Sequence, residues 1–494
     1  MNRKTSYFEK HTGLIALIFA MVFTVIVSAF LLIDKSIRLD EAQSVWQTNH
    51  SLFGTLRVIA TDVHLPLYFI TLRAWIIAFG NSPLAIRSLS VIFLLASFPF
   101  LYTVAKDSFT KRVAIFTLLL ATVSAFLHWY GSEARMYSLL FLITTISHLF
   151  FLRLFNAKYS DRKSTWIFYA LSVFIGVYTH LFFGFILIVQ ALFYLRNRSL
   201  FPIKSLRNFL FISAGILIQL GVWQAFRIKV GSANSSPLLN PPTTSDFFNL
   251  FSNIFIGLQG NTFNSFFLSL WPIFVIIGFS LLARREKLSP KISYLLQSAF
   301  IPIILAFVIS IFVTPVFVSR YLIIIVTPLY ILTAYLISLY KSRTGNVIFA
   351  VVMLSMLFSL SVEAISPNVP VNENYREAAM YVEKNAKEND IFVVSAPFTT
   401  YPIEYYYKGI TPLITFPKWN RFEDSSRIPP FTKENLILES DEWAKNYEYL
   451  YLLQSYNNEY SEEVRLYLDT NYERVNVKEF SPGLNLYVYK LLYL

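Results

Sequence analysis

Read from its amino terminus, the chain is a series of apolar runs, most of them long enough to cross a bilayer, divided by short polar connections. A helix needs about 20 residues to cross the hydrocarbon layer. Such runs fall at residues 14–33, 86–104, 113–128, 136–151, 166–178, 181–195, 209–226, 266–283, 295–313, 321–340 and 347–362. Basic residues cluster in the connections: Lys106, Lys111 and Arg112; Arg153, Lys158, Arg162 and Lys163; Arg196, Arg198, Lys204 and Arg207; Arg284, Arg285, Lys287 and Lys291; Lys341 and Arg343. These clusters occupy every second connection. Basic loops stay on the cytoplasmic side, so the alternation predicts about 11 crossings, with the amino terminus inside and the carboxyl terminus outside.

One apolar stretch breaks that parity if it crosses alone. Residues 67–79 are too few to span and carry Arg73 near their middle, which suits a helix lying in the interface. Residues 41–60 read the same way, giving two interfacial helices in the first outer loop. Beyond Pro367 the pattern changes to short alternating segments. It predicts helices at 375–386, 401–408 and 462–470 and strands at 390–395, 448–453 and 484–492. The expected architecture is therefore an α-helical polytopic membrane protein, residues 1–365, followed by a small extracytoplasmic α/β domain, residues 366–494.

Composition agrees with this class. Of 494 residues, 55% are hydrophobic and only 15% charged, too little polar surface to cover a soluble globule of this size. Arg3, Lys4 and Lys10 precede the first apolar run without a small-residue cleavage site after it, which reads as an uncleaved anchor. The absence of cysteine excludes disulfides, thiolate nucleophiles and zinc–thiolate sites. From Ser366 onward there are 13 basic against 19 acidic residues, net −6, so an overall +12 leaves +18 on the membrane portion. Such an excess fits cytoplasmic loops and lipid headgroups, and no basic, aromatic-interleaved face of the nucleic-acid-binding kind is present.

The predicted topology gathers polar residues from five outer connections onto one side: Asp40, Glu41, Asp62, His64, Arg87, Glu133, Arg135, Tyr137, His180, Arg227, Arg320 and Tyr321. Charges are nearly absent from the middles of the spans, which points to a site near the outer surface and away from a path through the core. Asp40 also reads as an N-cap of a helix starting at Glu41, with Gln43 completing a capping-box-like pair. Neighbours on a helix point about 100° apart, so of Asp40 and Glu41 one carries chemistry and the other orients it. Arg135, Arg227 and Arg320 each read singly as snorkelling residues; together on one face with carboxylates they suit a phosphate group. His64 and His180 beside Asp40 leave a divalent metal as a minor alternative, with no metal-spaced motif to support it.

Arg38-Leu39-Asp40-Glu41-Ala42, Asp62-Val63-His64-Leu65-Pro66-Leu67-Tyr68, Glu133-Ala134-Arg135-Met136-Tyr137 and Ser319-Arg320-Tyr321 together resemble the glycosyltransferase-C superfamily, specifically its bacterial protein-mannosyltransferase-like group. The similarity covers roughly residues 14–330. It implies transfer of a sugar, with inversion, from a polyprenyl-phosphate carrier to an acceptor hydroxyl of a glycan, lipid or protein on the outer face of the cell membrane. By that resemblance Asp40, with Glu41 beside it, is the acidic residue of the first outer loop that acts as base or acceptor anchor. Arg87 matches an arginine commonly found at the outer start of the next span. Arg135, Arg320, Tyr321 and Arg87 are the candidate holders of the donor phosphate, supported by Asp62, His64, Glu133, Tyr137 and His180. The usual His-Pro-Pro-Leu is His64-Leu65-Pro66-Leu67 here, a local loss of backbone restraint. A polyprenyl-linked transporter or flippase is the competing reading; it predicts glycine- or proline-broken helices and charges at mid-membrane, which the sequence scarcely provides.

Overall fold

The computed structural model describes residues 3–32, 35–231, 240–257, 288–365, 373–421, 428–455 and 460–491. In chain order its helices begin with α1 (Arg3–Leu32), α2 (Leu39–Thr48), α3 (Leu52–Ala60), α4 (Pro66–Phe79), α5 (Pro83–Ser108), α6 (Lys111–Thr122) and α7 (Ala125–Ser132). They continue with α8 (Tyr137–Leu154), α9 (Lys163–Thr179), α10 (Phe183–Arg196), α11 (Ser205–Lys229), α12 (Thr244–Ile256), α13 (Pro290–Phe312), α14 (Val326–Ser338) and α15 (Ser342–Ile365). After these come α16 (Tyr375–Asn385), β1 (Ile391–Ser395), α17 (Thr400–Tyr406), β2 (Leu413–Phe416), α18 (Lys433–Asn446), β3 (Tyr449–Ser455), α19 (Ser461–Asn471), β4 (Glu473–Ser481) and β5 (Leu484–Lys490). Contacts divide the chain into two units. One comprises Met1–Ile33, Val63–Lys229 and Ser236–Ser366; the other joins Asp34–Asp62 to Pro367–Leu494, with the short stretch Val230–Ser235.

The first unit is a multi-pass membrane bundle. Among the described residues seven helices are long and apolar enough to cross a membrane, or eight if the bent α6–α7 pair is one span. The expected run over 113–128 is in fact this pair, bent by 61°. The break is local: Ser124 Oγ accepts the Leu127 amide at 3.1 Å and so starts a new helix where the old one would have continued. The runs at 166–178 and 181–195 appear as α9 and α10, of 17 and 14 residues, each shorter than a full crossing. The run at 266–283 lies outside the described residues.

Burial separates the helices by role. In α8 every residue except Ile146 and Arg153 is buried, so it forms the centre of the bundle, packed against α5 and α9. In α11 only Ser205 and Trp223 are buried, while Leu210, Phe211, Leu217 and Ile218 are exposed, an apolar surface that suits lipid.

The second unit contains a five-stranded sheet of order β2-β1-β3-β5-β4. β1 pairs in parallel with β2 and β3, and β5 pairs antiparallel with β3 and β4. Burial on both faces explains the unbroken apolar run of β1: Phe392 and Val394 pack on α16, and Ile391 and Val393 face Leu436, Trp443 and Val464. The expected helices at 375–386, 401–408 and 462–470 and strands at 390–395, 448–453 and 484–492 are all present within a few residues. β2, α18 and β4 are additional.

The helix expected over 41–60 is two helices, α2 and α3. Ser51 Oγ accepts the Gly54 amide at 3.1 Å and restarts the helix after Asn49 and His50. The connection from α1 to α5 thus contributes three helices where two were expected.

Candidate active site

The membrane unit brings eight of the sequence-nominated residues to neighbouring positions. Glu133, Arg135 and Tyr137 lie at the turn from α7 into α8, where the Arg135 amide donates to the Glu133 carbonyl at 2.7 Å. Because α8 is the buried central helix, everything at its first turn is buried with it: Glu133 is 5% exposed, Arg135 4% and Tyr137 0%. Ser90 Oγ of α5 reaches the Arg135 carbonyl at 3.4 Å and the Tyr68 hydroxyl of α4 at 3.2 Å. Arg87 is one helical turn before Ser90, on the same face of α5, and is 1% exposed.

The Arg135 guanidinium meets the His64 ring, Nη2 to Nε2, at 2.8 Å. A guanidinium only donates, so Nε2 accepts and the ring proton falls on Nδ1. His64 is placed by the chain entering α4, where Pro66 occupies the first helical position, and its ring lies 5.6 Å from that of Phe69. The missing second proline of the motif therefore leaves His64 engaged with Arg135.

From the other side come the connection after α9 and the segment before α14. Asn253 Nδ2 of α12 donates to Ser319 Oγ at 3.1 Å and ties down the stretch carrying Arg320. The Arg320 guanidinium lies over the Tyr321 ring at 5.6 Å. Around that ring sit His180 at 5.0 Å, Phe182 at 5.3 Å and Tyr137 at 6.4 Å. His180 Nδ1 accepts the Phe182 amide at 3.1 Å, which puts its ring proton on Nε2. Burial, followed by the charges of the nearby Arg135 and Arg320, lowers the His180 pKa to about 3. His180 is thus a neutral donor at physiological pH.

The Tyr137 ring lies 6.4 Å from that of Tyr321, over which the Arg320 guanidinium sits. The Tyr137 hydroxyl is buried without a hydrogen-bond partner. An unpaired buried donor is costly unless a ligand completes it. Two cations, two phenols and the His180 imidazole form an array suited to a phosphate oxyanion.

Asp40, Glu41 and Asp62 belong to the second unit. Asp40 does not cap α2: the helix starts one residue earlier, and Asp40 sits half-buried in its first turn. The cap is made by Glu41, whose Oε2 accepts the Arg38 amide at 2.9 Å and whose side chain is fully buried. The adjacent orphan amide of Leu39 donates to Glu373 at 2.9 Å, and the Ile37 amide to the Tyr406 hydroxyl at 2.8 Å. Residues more than 300 positions away in sequence therefore fix the start of α2, which no local signal could reveal. Asp62 Oδ2 accepts Gln47 Nε2 at 2.6 Å and Gln43 Nε2 at 3.4 Å, so Gln43 serves Asp62 where a capping partner for Asp40 was expected. Arg227 occupies the last turn of α11. Among the described residues no three His, Asp or Glu side chains gather as metal ligands.

Sequence reasoning did not nominate Phe182, Ser90 or Tyr68. Tyr68 closes the Asp62–Tyr68 motif and Phe182 follows His180 by two residues, so both carried a signal; Ser90 carried none.

No protein-family model matches the sequence, and no curated protein does. Solved structures match the fold across nearly the whole chain. ArnT from Cupriavidus metallidurans in the apo state superposes with a TM-score of 0.65 at 12% identity, over 97% of this chain and 98% of that one. The same enzyme bound to undecaprenyl phosphate gives 0.61 at 12% identity, over 95% and 97%. The archaeal oligosaccharyltransferase AglB from Archaeoglobus fulgidus, in complex with an inhibitory peptide and a dolichol-phosphate, gives 0.56 at 12% identity, over 97% and 74%. At this identity the likeness is one of fold alone.

Proposed function

We propose that this chain is an inverting membrane glycosyltransferase that moves a sugar from a polyprenyl-phosphate donor to an acceptor hydroxyl. The observation that carries this reading is the phosphate-suited array of Arg135, Arg320, Tyr137 and Tyr321 at the head of the central helix, with a buried phenol lacking a partner. The fold supports it, because one ArnT structure of this fold holds undecaprenyl phosphate and an AglB structure holds dolichol-phosphate.

In the proposed reaction Asp40 takes the proton of the acceptor hydroxyl while its oxygen attacks the anomeric carbon from the face opposite the phosphate. The bond between the anomeric carbon and the phosphate oxygen breaks, and the leaving polyprenyl phosphate keeps the electron pair. Arg135, Arg320, Tyr321 and Arg87 stabilise its charge. Glu41 orients Asp40 by holding the helix start. Asp62, His64, Glu133, Tyr137 and His180 support the site. This reading includes the topology drawn from the sequence: about 11 crossings, a cytoplasmic amino terminus and an extracytoplasmic sheet domain.

The test is incubation of purified protein with a panel of polyprenyl-phosphate sugars, measuring release of free lipid phosphate. Release from at least one donor, lost in Asp40→Asn, is the expected result. Failure with every donor would favour the polyprenyl-linked transporter.

A further inference from the structure

The second unit contains a cleft of about 480 Å³ that no role above uses. Its walls are the edge strand β2 (Leu413, Ile414 and Thr415), the α17 residues Thr400 and Glu404, and the turn carrying Lys418, Trp419, Asn420 and Arg421. Thr415 Oγ1 accepts the Trp419 amide at 3.0 Å, which folds that turn back beside the strand and sets the half-buried indole at the cleft.

The charges of the cleft are already matched. Arg421 is paired with Glu404, and Lys418 with Glu442 at 3.0 Å. An anionic or cationic ligand would have to compete with these pairs. A neutral ligand rich in hydroxyls would instead use them, because paired carboxylates and guanidiniums keep spare acceptors and donors. An indole face beside such groups suits the C–H face of a pyranose ring. We infer that this cleft binds a neutral saccharide, as the subsite for the acceptor glycan.

A second set of contacts links the cleft to the first outer loop. The Arg421 guanidinium lies over the rings of Trp46 and Tyr401, at 5.0 and 5.1 Å, and these two rings are 5.1 Å apart. Tyr401 also meets Trp419 edge-on at 5.9 Å, and its hydroxyl is buried without a hydrogen-bond partner. Trp46 follows Asp40 by six positions on α2, roughly 9 Å along the helix axis. A glycan seated at Trp419 is therefore held by the same unit that carries the proposed base. The role as acceptor subsite rests on the function proposed above; the binding itself does not.

The experiment uses the full chain in nanodiscs and saturation-transfer NMR with mannotriose, maltotriose and chitotriose, beside a sulfated disaccharide and a lysine-rich peptide. At least one neutral trisaccharide should bind saturably. Trp419→Ala should weaken it at least tenfold and Trp419→Phe only a few-fold, with the thermal transition unchanged. In a transfer assay Trp419→Ala should raise the acceptor KM and leave donor hydrolysis as it was. The inference is overturned if no neutral trisaccharide binds, if Trp419→Ala binds as the parent does, or if the sulfated disaccharide or the peptide binds in their place. Binding without transfer would remove the proposed reaction and leave the saccharide site standing; transfer without binding would do the reverse.

Discussion

Glu41 and Arg135 are both buried charges in sequence segments nominated as functional, yet the two units treat them differently. Around Glu41 the second unit closes its own bonds: the carboxylate caps α2, Glu373 and Tyr406 take the neighbouring amides, and Asp62 receives two glutamine side chains. Two residues beyond Arg135, which meets His64, the membrane unit packs Tyr137 against the rings of Tyr130 and Tyr321 and leaves its hydroxyl without a partner. The first arrangement is built to hold a segment still. The second, in the function proposed above, would receive a group that the protein itself does not supply. A buried charge thus reports function by what its neighbours lack, more than by its burial.

The largest effect should come from the pair of adjacent acids, which tests whether holding and reacting are separate roles. Asp40→Asn should lower transfer by about a thousandfold, within the usual range for losing a general base, without changing expression or thermal stability. Glu41→Gln keeps an amide oxygen able to accept the Arg38 N–H, so it should retain most activity and lose only part of the helix-start stability. Steady-state transfer assays and thermal melts of both variants decide the matter. Equal losses in the two would sink the division of labour.

Next in size is Arg320→Ala, which removes a cation from the proposed phosphate site. A charge-assisted hydrogen bond contributes about 1.5–3 kcal/mol, so donor affinity should fall roughly 10- to 100-fold. Direct titration with a polyprenyl phosphate measures it. Undiminished affinity would make Arg320 a mere neighbour of Tyr321.

Tyr137→Phe gives the sharpest contrast between the units. Its hydroxyl has no partner to lose in the unliganded protein, so removing it should leave the melting temperature unchanged or raise it. Turnover should nonetheless fall, by about tenfold if the phenol donates to the departing phosphate. The corresponding deletion in the second unit, Tyr406→Phe, strips the Ile37 amide of its acceptor and should lower stability instead. A destabilised Tyr137→Phe protein would mean that the hydroxyl is structural.

These contrasts also explain what could be read in advance. The membrane bundle was legible because apolar run length and alternating basic loops are one-dimensional signals, and the gathering of His64, Arg87, Arg135, Tyr137, His180 and Arg320 followed from helix ends. The bend at Ser124 was not, since a serine within an apolar run restarts a helix only when the surrounding bundle permits it. Likewise the break before α3 hung on Ser51, and the capping role passed from Asp40 to Glu41 because α2 begins at Leu39. β2, α18 and β4 escaped notice for another reason. The exposed β4 and the polar α18 carry little periodic hydrophobicity, and β2 is a four-residue edge strand whose partner is set by tertiary contact. The pins on α2 from Glu373 and Tyr406 are long-range and leave no local trace.

The smallest expected effect concerns acid. His180 has a pKa of about 3 in the folded protein, lowered by burial and by the nearby cations, against about 6.5 when unfolded. Between those values the unfolded chain binds the proton that the folded one refuses, so stability is intact above about pH 6.5 and declines as pH falls toward 3. His180→Gln keeps an amide donor without a titrating ring. Its melting temperature should therefore drop less between pH 7 and pH 5 than that of the parent, by a few degrees, although its activity at neutral pH is reduced. Parallel acid-side slopes in the two proteins would show that His180 is reached by water and counter-ions in the folded state, and that the array around Tyr321 is open to solvent.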